Sequence, residues 1–199
     1  MTLVEDIVVK RLGRTPYGET LQAMRAFTRG RNGEEIWLTE HEPVYTLGQG
    51  APERTVANGI PVVRSDRGGD ITYHGPGQIV LYPLIDLAGR GIKVKRYVWL
   101  LEQVAIDLIG RGAERRPGAP GVYVDGAKIA ALGIRVVRGR AYHGLALNVA
   151  MDLTPFSAID PCGYPGLRVT QTKDIGIKQD RNTIETGLVK NLAAGLENA

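Results

Sequence analysis

The feature that most constrains the fold is a stretch of alternating extended patterns, residues 121–153, that two turn signals divide. Asp125-Gly126 and Arg138-Gly139 are dipeptides that suit tight hairpin turns, because both central residues of such turns need positive φ. The runs on either side are rich in β-branched and small apolar residues, which favour strands. The stretch therefore predicts successive antiparallel hairpins in the second half of the chain.

The rest of the chain mixes helical and extended patterns. Apolar residues recur at helical spacing over 19–29, over 94–109 and from Asn182 onward, and extended patterns lie over 4–10, over 35–49 with a break at Pro43, over 60–64 and over 78–86. Arg111-Gly112 predicts the end of the second helix. Asn182, with Glu185 three residues later, predicts a capping box at the start of the third helix.

This interspersed order, with hairpins in the second half, predicts an α+β fold in which a mixed or antiparallel sheet is flanked by helices. A chain of 199 residues can bury one sizeable core and is too short for two independent ones. We therefore expect residues 1–199 to form a single domain.

Charge and composition narrow the choice of partners. Lysine and arginine number 25 against 21 acidic residues, and the net charge of +4 suits an acidic partner. The positive charges are scattered and only two phenylalanines and two tryptophans are available to stack on bases, so we expect no nucleic-acid partner. Because the N-terminus lacks the pattern of a secretion signal, no segment reaches membrane-spanning length and one cysteine allows no internal disulfide, we expect a cytoplasmic location and no membrane partner.

Residues 67–78, RGGDITYHGPGQ, form the first unusual segment. Its glycines let the main chain approach a ligand closely, and Pro76 between two of them fixes a shape. Arg67, Thr72 and His74 add hydrogen-bonding groups. The segment predicts a pocket wall, with a plain turn between strands as the alternative. No Gly-Lys-Ser/Thr follows, so the pattern does not indicate a phosphate loop.

The only cysteine, Cys162, lies in the segment 159–166, where two prolines and two glycines favour a rigid, irregular main chain. A turn of this kind can present a thiol at a surface and leave nearby amides free to form an oxyanion hole. The alternative is a small buried apolar side chain, which is the usual role of a lone cysteine.

A cysteine nucleophile needs a base or a positive neighbour that favours its thiolate. His41, His74 and His143 each lie beside a short polar run, and no spacing singles one out. Lys128 stands in an otherwise small and apolar hairpin, where an amine is partly neutral and can accept a proton from a thiol. The alternative for Lys128 is a solvent-facing lysine on an alternating strand.

The strand pattern over 142–148 carries little bulk on one face. Gly144 and Ala146 are the small residues there, so the pattern predicts room for an extended apolar ligand. Ordinary close packing of two sheets would give the same pattern.

Four strings, RGGDITYHGPGQ, DGAKIAALGIRV, HGLALN and DPCGYPG, in this order and at these separations, resemble the lipoyl(octanoyl) transferase family, the octanoyl-[acyl-carrier-protein]:protein N-octanoyltransferases. The upstream EHEPVYTLGQG is also similar, and the resemblance covers roughly residues 5–178. It implies a fold similar to the catalytic domain of lipoate and biotin protein ligases, with an acyl tunnel along the central sheet.

The resemblance also implies an activity and its residues. Such acyltransferases move an octanoyl or lipoyl group from acyl carrier protein to a lysine of the lipoyl domains of 2-oxoacid dehydrogenases and of the glycine-cleavage H protein, without ATP, cofactor or metal. The family's nucleophile falls on Cys162, which would carry the acyl group as a thioester, and its activating lysine falls on Lys128. Substrate-binding positions fall on Arg67, Gly68, Gly69, Asp70, Ile71, Thr72, Tyr73, His74, Ala131, Leu132, Gly133, Gly144, Leu145 and Ala146.

Two alternatives stay open at the level of sequence. An ATP-dependent lipoate or biotin ligase would share the type of fold and need no cysteine, so leaving out ATP separates the two enzymes. A module that binds acyl carrier protein or lipoyl domains without turnover would not need Cys162 at all.

Overall fold

The computed structural model describes residues 2–4, 7–30, 33–110, 112–164 and 166–199, and gives only the main chain of 2–4 and of Cys162. The strands are β1 (Thr2–Val4), β2 (Ile7–Thr15), β3 (Glu35–His41), β4 (Val44–Leu47), β5 (Val62–Arg64), β6 (Ile71–His74), β7 (Gln78–Asp86), β8 (Ala113–Glu114), β9 (Gly121–Val124), β10 (Ala127–Val137) and β11 (Arg140–Asn148). The helices are α1 (Tyr17–Gly30), α2 (Val94–Ile109) and α3 (Arg181–Glu197), with short 3₁₀ helices at Thr154–Ala158 and Pro161–Gly163.

Eight strands form one sheet in the order β1-β2-β3-β7-β11-β10-β9-β8. β2 and β3 run parallel and the other neighbours are antiparallel. Because β2 pairs along the whole of β3, it continues to Thr15, past the end that the sequence pattern predicts. A separate three-stranded sheet has the order β5-β4-β6, with β4 parallel to β5 and antiparallel to β6. The predicted α+β class with a mixed sheet is confirmed.

Tight turns join β9 to β10 and β10 to β11. Asp125 and Gly126 have φ of 47° and 78°, and Arg138 and Gly139 have φ of 49° and 82°. Positive φ at both central residues is the backbone of a type I′ hairpin turn, whose twist matches that of the flanking strands. The predicted hairpins are therefore confirmed.

Helices cover both faces of the large sheet. Alternation along β7 places Leu81 in a core with α2 and α3, whereas Val80 and Tyr82 face the opposite side and pack against Tyr17 and Met24 of α1. No helix in the described ranges combines the length and the apolar composition that crossing a bilayer requires.

Two helix ends differ from the sequence prediction. α2 is capped by Gly110, whose φ of 82° ends the helix before the predicted Arg111-Gly112, and Arg111 itself lies outside the described residues. α3 is capped by Asp180, whose carboxylate accepts a hydrogen bond from Thr183 N at 2.8 Å.

The predicted capping box of Asn182 and Glu185 is therefore wrong. Glu185 is buried and forms ion pairs with Arg11 and Arg181, so its carboxylate ties α3 to β2 rather than capping the helix.

Candidate active site

A cavity of about 310 Å³ lies between β10, β11 and the glycine-rich segment. It is lined by Tyr17, Arg67, Gly68, Gly69, Asp70, Thr72, His74, Val80, Tyr82, Val98, Pro120, Lys128, Ala131, Leu132, Gly133, Ile134, His143, Gly144, Leu145, Ala146 and Tyr164. The structure thus brings most of the predicted substrate-binding positions together with Lys128 around one space. Their roles stay predictions.

The floor of the cavity is made of small residues in register. Ala131 of β10 pairs with Ala146 of β11, and Gly133 pairs with Gly144. The alanines leave space above the sheet. A Cβ at Gly144, in contrast, would lie 2.2 Å from Leu81 O, so the missing side chain of Gly144 accommodates β7. The expectation that Gly144 makes room for a ligand is wrong in this respect, although Gly144 borders the cavity.

The glycine-rich segment is only partly a loop, because residues 71–74 form β6. Strand alternation points Thr72 and His74 into the cavity. Ile71 and Tyr73 point the other way and pack in a separate core with Phe156. The expected substrate-binding role of Ile71 and Tyr73 therefore has no support in the cavity lining.

The loop part of the segment is held on both sides by main-chain hydrogen bonds. Gly68 N donates to Ile134 O of β10 at 2.9 Å, and Gly50 N donates to Gly69 O at 3.0 Å. A Cβ at Gly48 would lie 2.2 Å from Gly69 O, so glycine at position 48 allows this close approach. Residues 48–50 thus support the glycine-rich segment, a role that the sequence reasoning missed. The glycines at positions 48 and 50 were the sequence signal for it.

Arg67 is buried and its guanidinium binds the neighbouring sheet. Nη2 donates to the Thr46 carbonyl at 2.6 Å and to Thr46 Oγ1 at 2.9 Å, and Nη1 donates to Gly68 O at 3.0 Å. Arg67 therefore holds the glycine-rich segment against β4 as well as bordering the cavity.

All three histidines lie in one buried cluster with tyrosines. His74 stacks on Tyr17 with ring centroids 5.9 Å apart, and His41 lies edge-on to both rings at 5.7 and 5.2 Å. His41 Nε2 is 2.8 Å from the Tyr82 hydroxyl. Burial lowers the pKa of His41 to about 4 and the pKa of His74 to about 3, so both rings are neutral near pH 7.

The third histidine, His143, has an unusual main chain and a carboxylate partner. Its φ is 61°, and its Nε2 lies 2.8 Å from Asp66 Oδ1. Burial lowers the pKa of His143 and the hydrogen bond to Asp66 partly opposes this. His143 pairs with Ile134, six residues along β10 from Lys128, a separation of about 20 Å at 3.3 Å per residue. This distance excludes His143 as a direct partner of the amine.

Lys128 is 3% exposed, so the alternative of a solvent-facing lysine is wrong. Its Nζ donates to Pro120 O at 3.2 Å and lies 5.2 Å from the Tyr123 ring and 5.9 Å from the Tyr164 ring. An irregularity in the β9–β10 pairing follows Lys128. Gly121 lets the stem pass, because a Cβ there would lie 3.2 Å from Lys128 Cε.

Cys162 lies in the 3₁₀ helix Pro161–Gly163, and its side chain is outside what the structure describes. Gly163 packs on the glycine-rich segment, since a Cβ there would lie 3.0 Å from Asp70 Oδ2. The next residue, Tyr164, lines the cavity beside Lys128. The main chain at Cys162 therefore runs along the cavity mouth.

The two main-chain amides that follow Cys162 already donate hydrogen bonds within the turn. Gly163 N donates to Asp160 O at 2.9 Å and Tyr164 N donates to Pro161 O at 3.2 Å, so the oxyanion hole expected near Cys162 would have to use other amides. The main chain of Lys128 is bound to the stretch that follows the cysteine segment. Lys128 N donates to Arg168 O at 2.8 Å, and Lys128 O accepts from Thr170 N at 2.9 Å.

Comparison with known proteins identifies the family. The family model of the lipoyl protein ligase A/B catalytic domain matches residues 17–192. An octanoyltransferase of Aromatoleum aromaticum is 62% identical, over 87% of this chain and 79% of its own length, and one of Dechloromonas aromatica is 60% identical, over 85% and 87%. These matches confirm the resemblance stated from the sequence motifs.

Solved structures share the fold at low sequence identity. A bipartite lipoate protein ligase of Thermoplasma acidophilum superposes with a TM-score of 0.68 at 17% identity, covering 96% of this chain and 84% of that one. The biotin protein ligase of Aquifex aeolicus gives a TM-score of 0.60 at 10% identity, covering 96% and 71%. The expected likeness to both ligase folds is confirmed, and the chain belongs to the lipoyl protein ligase A/B catalytic domain family and, within it, to the octanoyltransferases.

Proposed function

We propose that the protein transfers an octanoyl group from acyl carrier protein to a lysine of a lipoyl domain or of the glycine-cleavage H protein, through a thioester on Cys162. The observation that carries the proposal is the buried amine of Lys128 at the mouth of an apolar cavity, beside the main chain that holds the only cysteine. A lysine amine that is almost wholly buried beside a cavity is suited to proton transfer rather than to solubility.

In the first half-reaction, Lys128 Nζ takes the thiol proton of Cys162, and the thiolate attacks the carrier thioester. Main-chain amides that border the cavity stabilise the tetrahedral oxyanion. The carbon–sulfur bond to the carrier then breaks, and the carrier thiol leaves with the proton that Lys128 returns. One thioester replaces another, so this step is close to thermoneutral.

In the second half-reaction, the amine of the acceptor lysine attacks the Cys162 thioester. Before this attack Lys128 takes one proton from the acceptor's ammonium, and as the amide forms the nitrogen gives its second proton to the departing Cys162 sulfur, which becomes a thiol again. Amide resonance makes this step downhill, which removes the need for a nucleotide. An ATP-dependent ligase reaction is therefore not required for turnover.

The acyl chain would lie on Ala131, Ala146 and Val80, where small and apolar side chains face the cavity. We infer that residues 1–199 work as one catalytic domain and that the cytoplasmic location expected from the sequence holds. The donor and acceptor proteins are likewise part of the proposal.

Intact-mass measurement tests the proposal directly. Mixing the protein with octanoyl-carrier, without acceptor and without ATP, should add one octanoyl group that hydroxylamine removes. The chain has a single cysteine, so Cys162→Ala should fold and take up no acyl group. Transfer to a lipoyl domain by Cys162→Ala at more than a trace level would contradict the thioester route, and a strict requirement for ATP would favour the ligase chemistry.

A further inference from the structure

A second groove adjoins the mouth of the acyl cavity. It has a volume of about 350 Å³ and is bordered by Arg116, Tyr123, Tyr164 and Arg168. Tyr164 also lines the acyl cavity, so one side chain separates the two spaces. A molecule whose reactive group sits at the thiol can therefore extend directly into this second space, here called the arginine groove.

Two guanidinium groups converge in the arginine groove. A Cβ added at Gly126 would lie 3.1 Å from Arg116 Nη2 and 3.5 Å from Arg168 Nη2. Arg168 donates to the Asp125 carbonyl at 2.7 Å and makes no ion pair within the described part of the chain, while Arg116 has a loose contact of 3.8 Å with the exposed Glu114. Two like charges held this close favour an anion that bridges them.

The arginine groove lies close to the reacting atoms. Arg116 Cζ is 4.5 Å from the centre of the Tyr123 ring, and Lys128 Nζ is 5.2 Å from the same centre, so the guanidinium lies within about 10 Å of the amine. A lysine side chain spans only about 6 Å, and one residue of extended chain adds about 3.5 Å. When an acceptor lysine reaches the thioester, its sequence neighbours therefore arrive at the arginine groove.

The donor protein is less suited than the acceptor to contact the arginine groove. A carrier protein offers its acyl group at the end of a phosphopantetheine arm, which is far longer than a lysine side chain and keeps the carrier's own surface away from the cavity mouth. The positive charges of Arg116 and Arg168 are thus placed for the polypeptide of the acceptor.

We propose that the arginine groove binds acidic residues that flank the acceptor lysine, an inference that rests on the acyl-transfer function proposed above. Carboxylates there would accept charge-assisted hydrogen bonds from Arg116 and Arg168 and hold the lysine in line with the thioester. This contact would select acceptor lysines with acidic neighbours over other lysines on the same protein surface.

The test separates three rates in the double variant Arg116→Glu/Arg168→Glu. They are acylation of the enzyme by octanoyl-carrier, discharge of the isolated acyl-enzyme to hydroxylamine, and discharge to a lipoyl domain. We expect the first two to stay within about twofold of the unaltered enzyme and the third to fall at least about tenfold. A lipoyl domain whose acidic residues beside the acceptor lysine are changed to lysine should recover part of that loss. Lys95→Glu/Lys190→Glu, which alters the same charge on exposed positions of α2 and α3, is the matched control and should discharge normally.

Several results would overturn the inference. Unchanged discharge to the lipoyl domain would show that the groove does not contact the acceptor. Slower acylation by octanoyl-carrier, with discharge unaffected, would assign the surface to the donor. An equal loss with hydroxylamine would indicate damage to the site, which Arg116→Gln/Arg168→Gln and a melting curve would reveal. If the unaltered enzyme formed no thioester, the proposed function itself would fail, a result distinguishable from all of these.

Discussion

Replacing Ala146 with leucine should shorten the acyl chain that the cavity accepts. Ala146 pairs with Ala131, whose Cα lies up to about 10 Å along β10 from the Cα of Lys128, so we expect the far end of an octanoyl chain, and not a butanoyl chain, to meet it. Leucine adds three carbon atoms to the floor, and these displace about three methylene groups of an octanoyl chain. At about 0.8 kcal/mol for each methylene group, the loss is roughly 2.4 kcal/mol, or about 60-fold in kcat/KM for the octanoyl donor.

The assay compares kcat/KM for octanoyl and butanoyl thioesters, and the butanoyl value should change by less than about threefold. Gly144→Ala is the matched control, since its Cβ would meet Leu81 O at 2.2 Å. That variant should lose stability, with a lower melting temperature and equal losses for both donors. Equal losses for both donors in Ala146→Leu, at an unchanged melting temperature, would refute the assignment of this floor to the acyl chain.

Three further changes test the surrounding groups. Lys128→Met should slow acylation of Cys162 and its alkylation by iodoacetamide at pH 7, with partial recovery at higher pH; normal alkylation alongside lost transfer would move Lys128 to the second half-reaction alone. Arg67→Ala should remove the hydrogen bonds to Thr46 at a cost of about 2 kcal/mol and lower the melting temperature by several degrees, and unchanged melting with weaker substrate use would make Arg67 a substrate ligand only. The unfolding free energy should fall from about pH 6.5 towards pH 4, because His41 and His74 have lowered pKa values and bind protons more readily when unfolded. The slope reaches about 1.4 kcal/mol per pH unit for each histidine, so His74→Gln should flatten it. An unchanged slope in that variant would contradict the burial of the histidines as neutral rings.

The local patterns predicted most of the elements. The I′ turns at 125–126 and 138–139 need positive φ at both residues, and the glycines make that visible in sequence. The predicted start of α3 was wrong because Asp180 and Asn182 are both good capping residues. The choice between them depends on the ion pairs of Glu185 with Arg11 and Arg181, which the local sequence does not reveal.

In the candidate site, residue type and setting single out Cys162 and Lys128 in the sequence, and their catalytic roles stay predictions. The orientation of the lining residues was not predictable, because long-range strand pairing decides it. Ile71 and Tyr73 face away from the cavity because β4 turns their segment into a strand. A side chain at Gly144 would clash with β7, a strand far away in sequence. The small size of Gly144 alone could therefore not show whether it makes room for a ligand or for a neighbouring strand.

The main-chain hydrogen bonds between Lys128 and residues 168–170 have a consequence for how the cavity can open. Because these bonds hold both the amide and the carbonyl of Lys128, the base and the chain that follows the cysteine segment must move together. The opposite wall is held as well, because Gly68 N donates to Ile134 O and Gly69 O accepts from Gly50 N. A wider entrance would therefore require main-chain hydrogen bonds to break on one side or the other, and the shape of the cavity is set largely before substrate arrives.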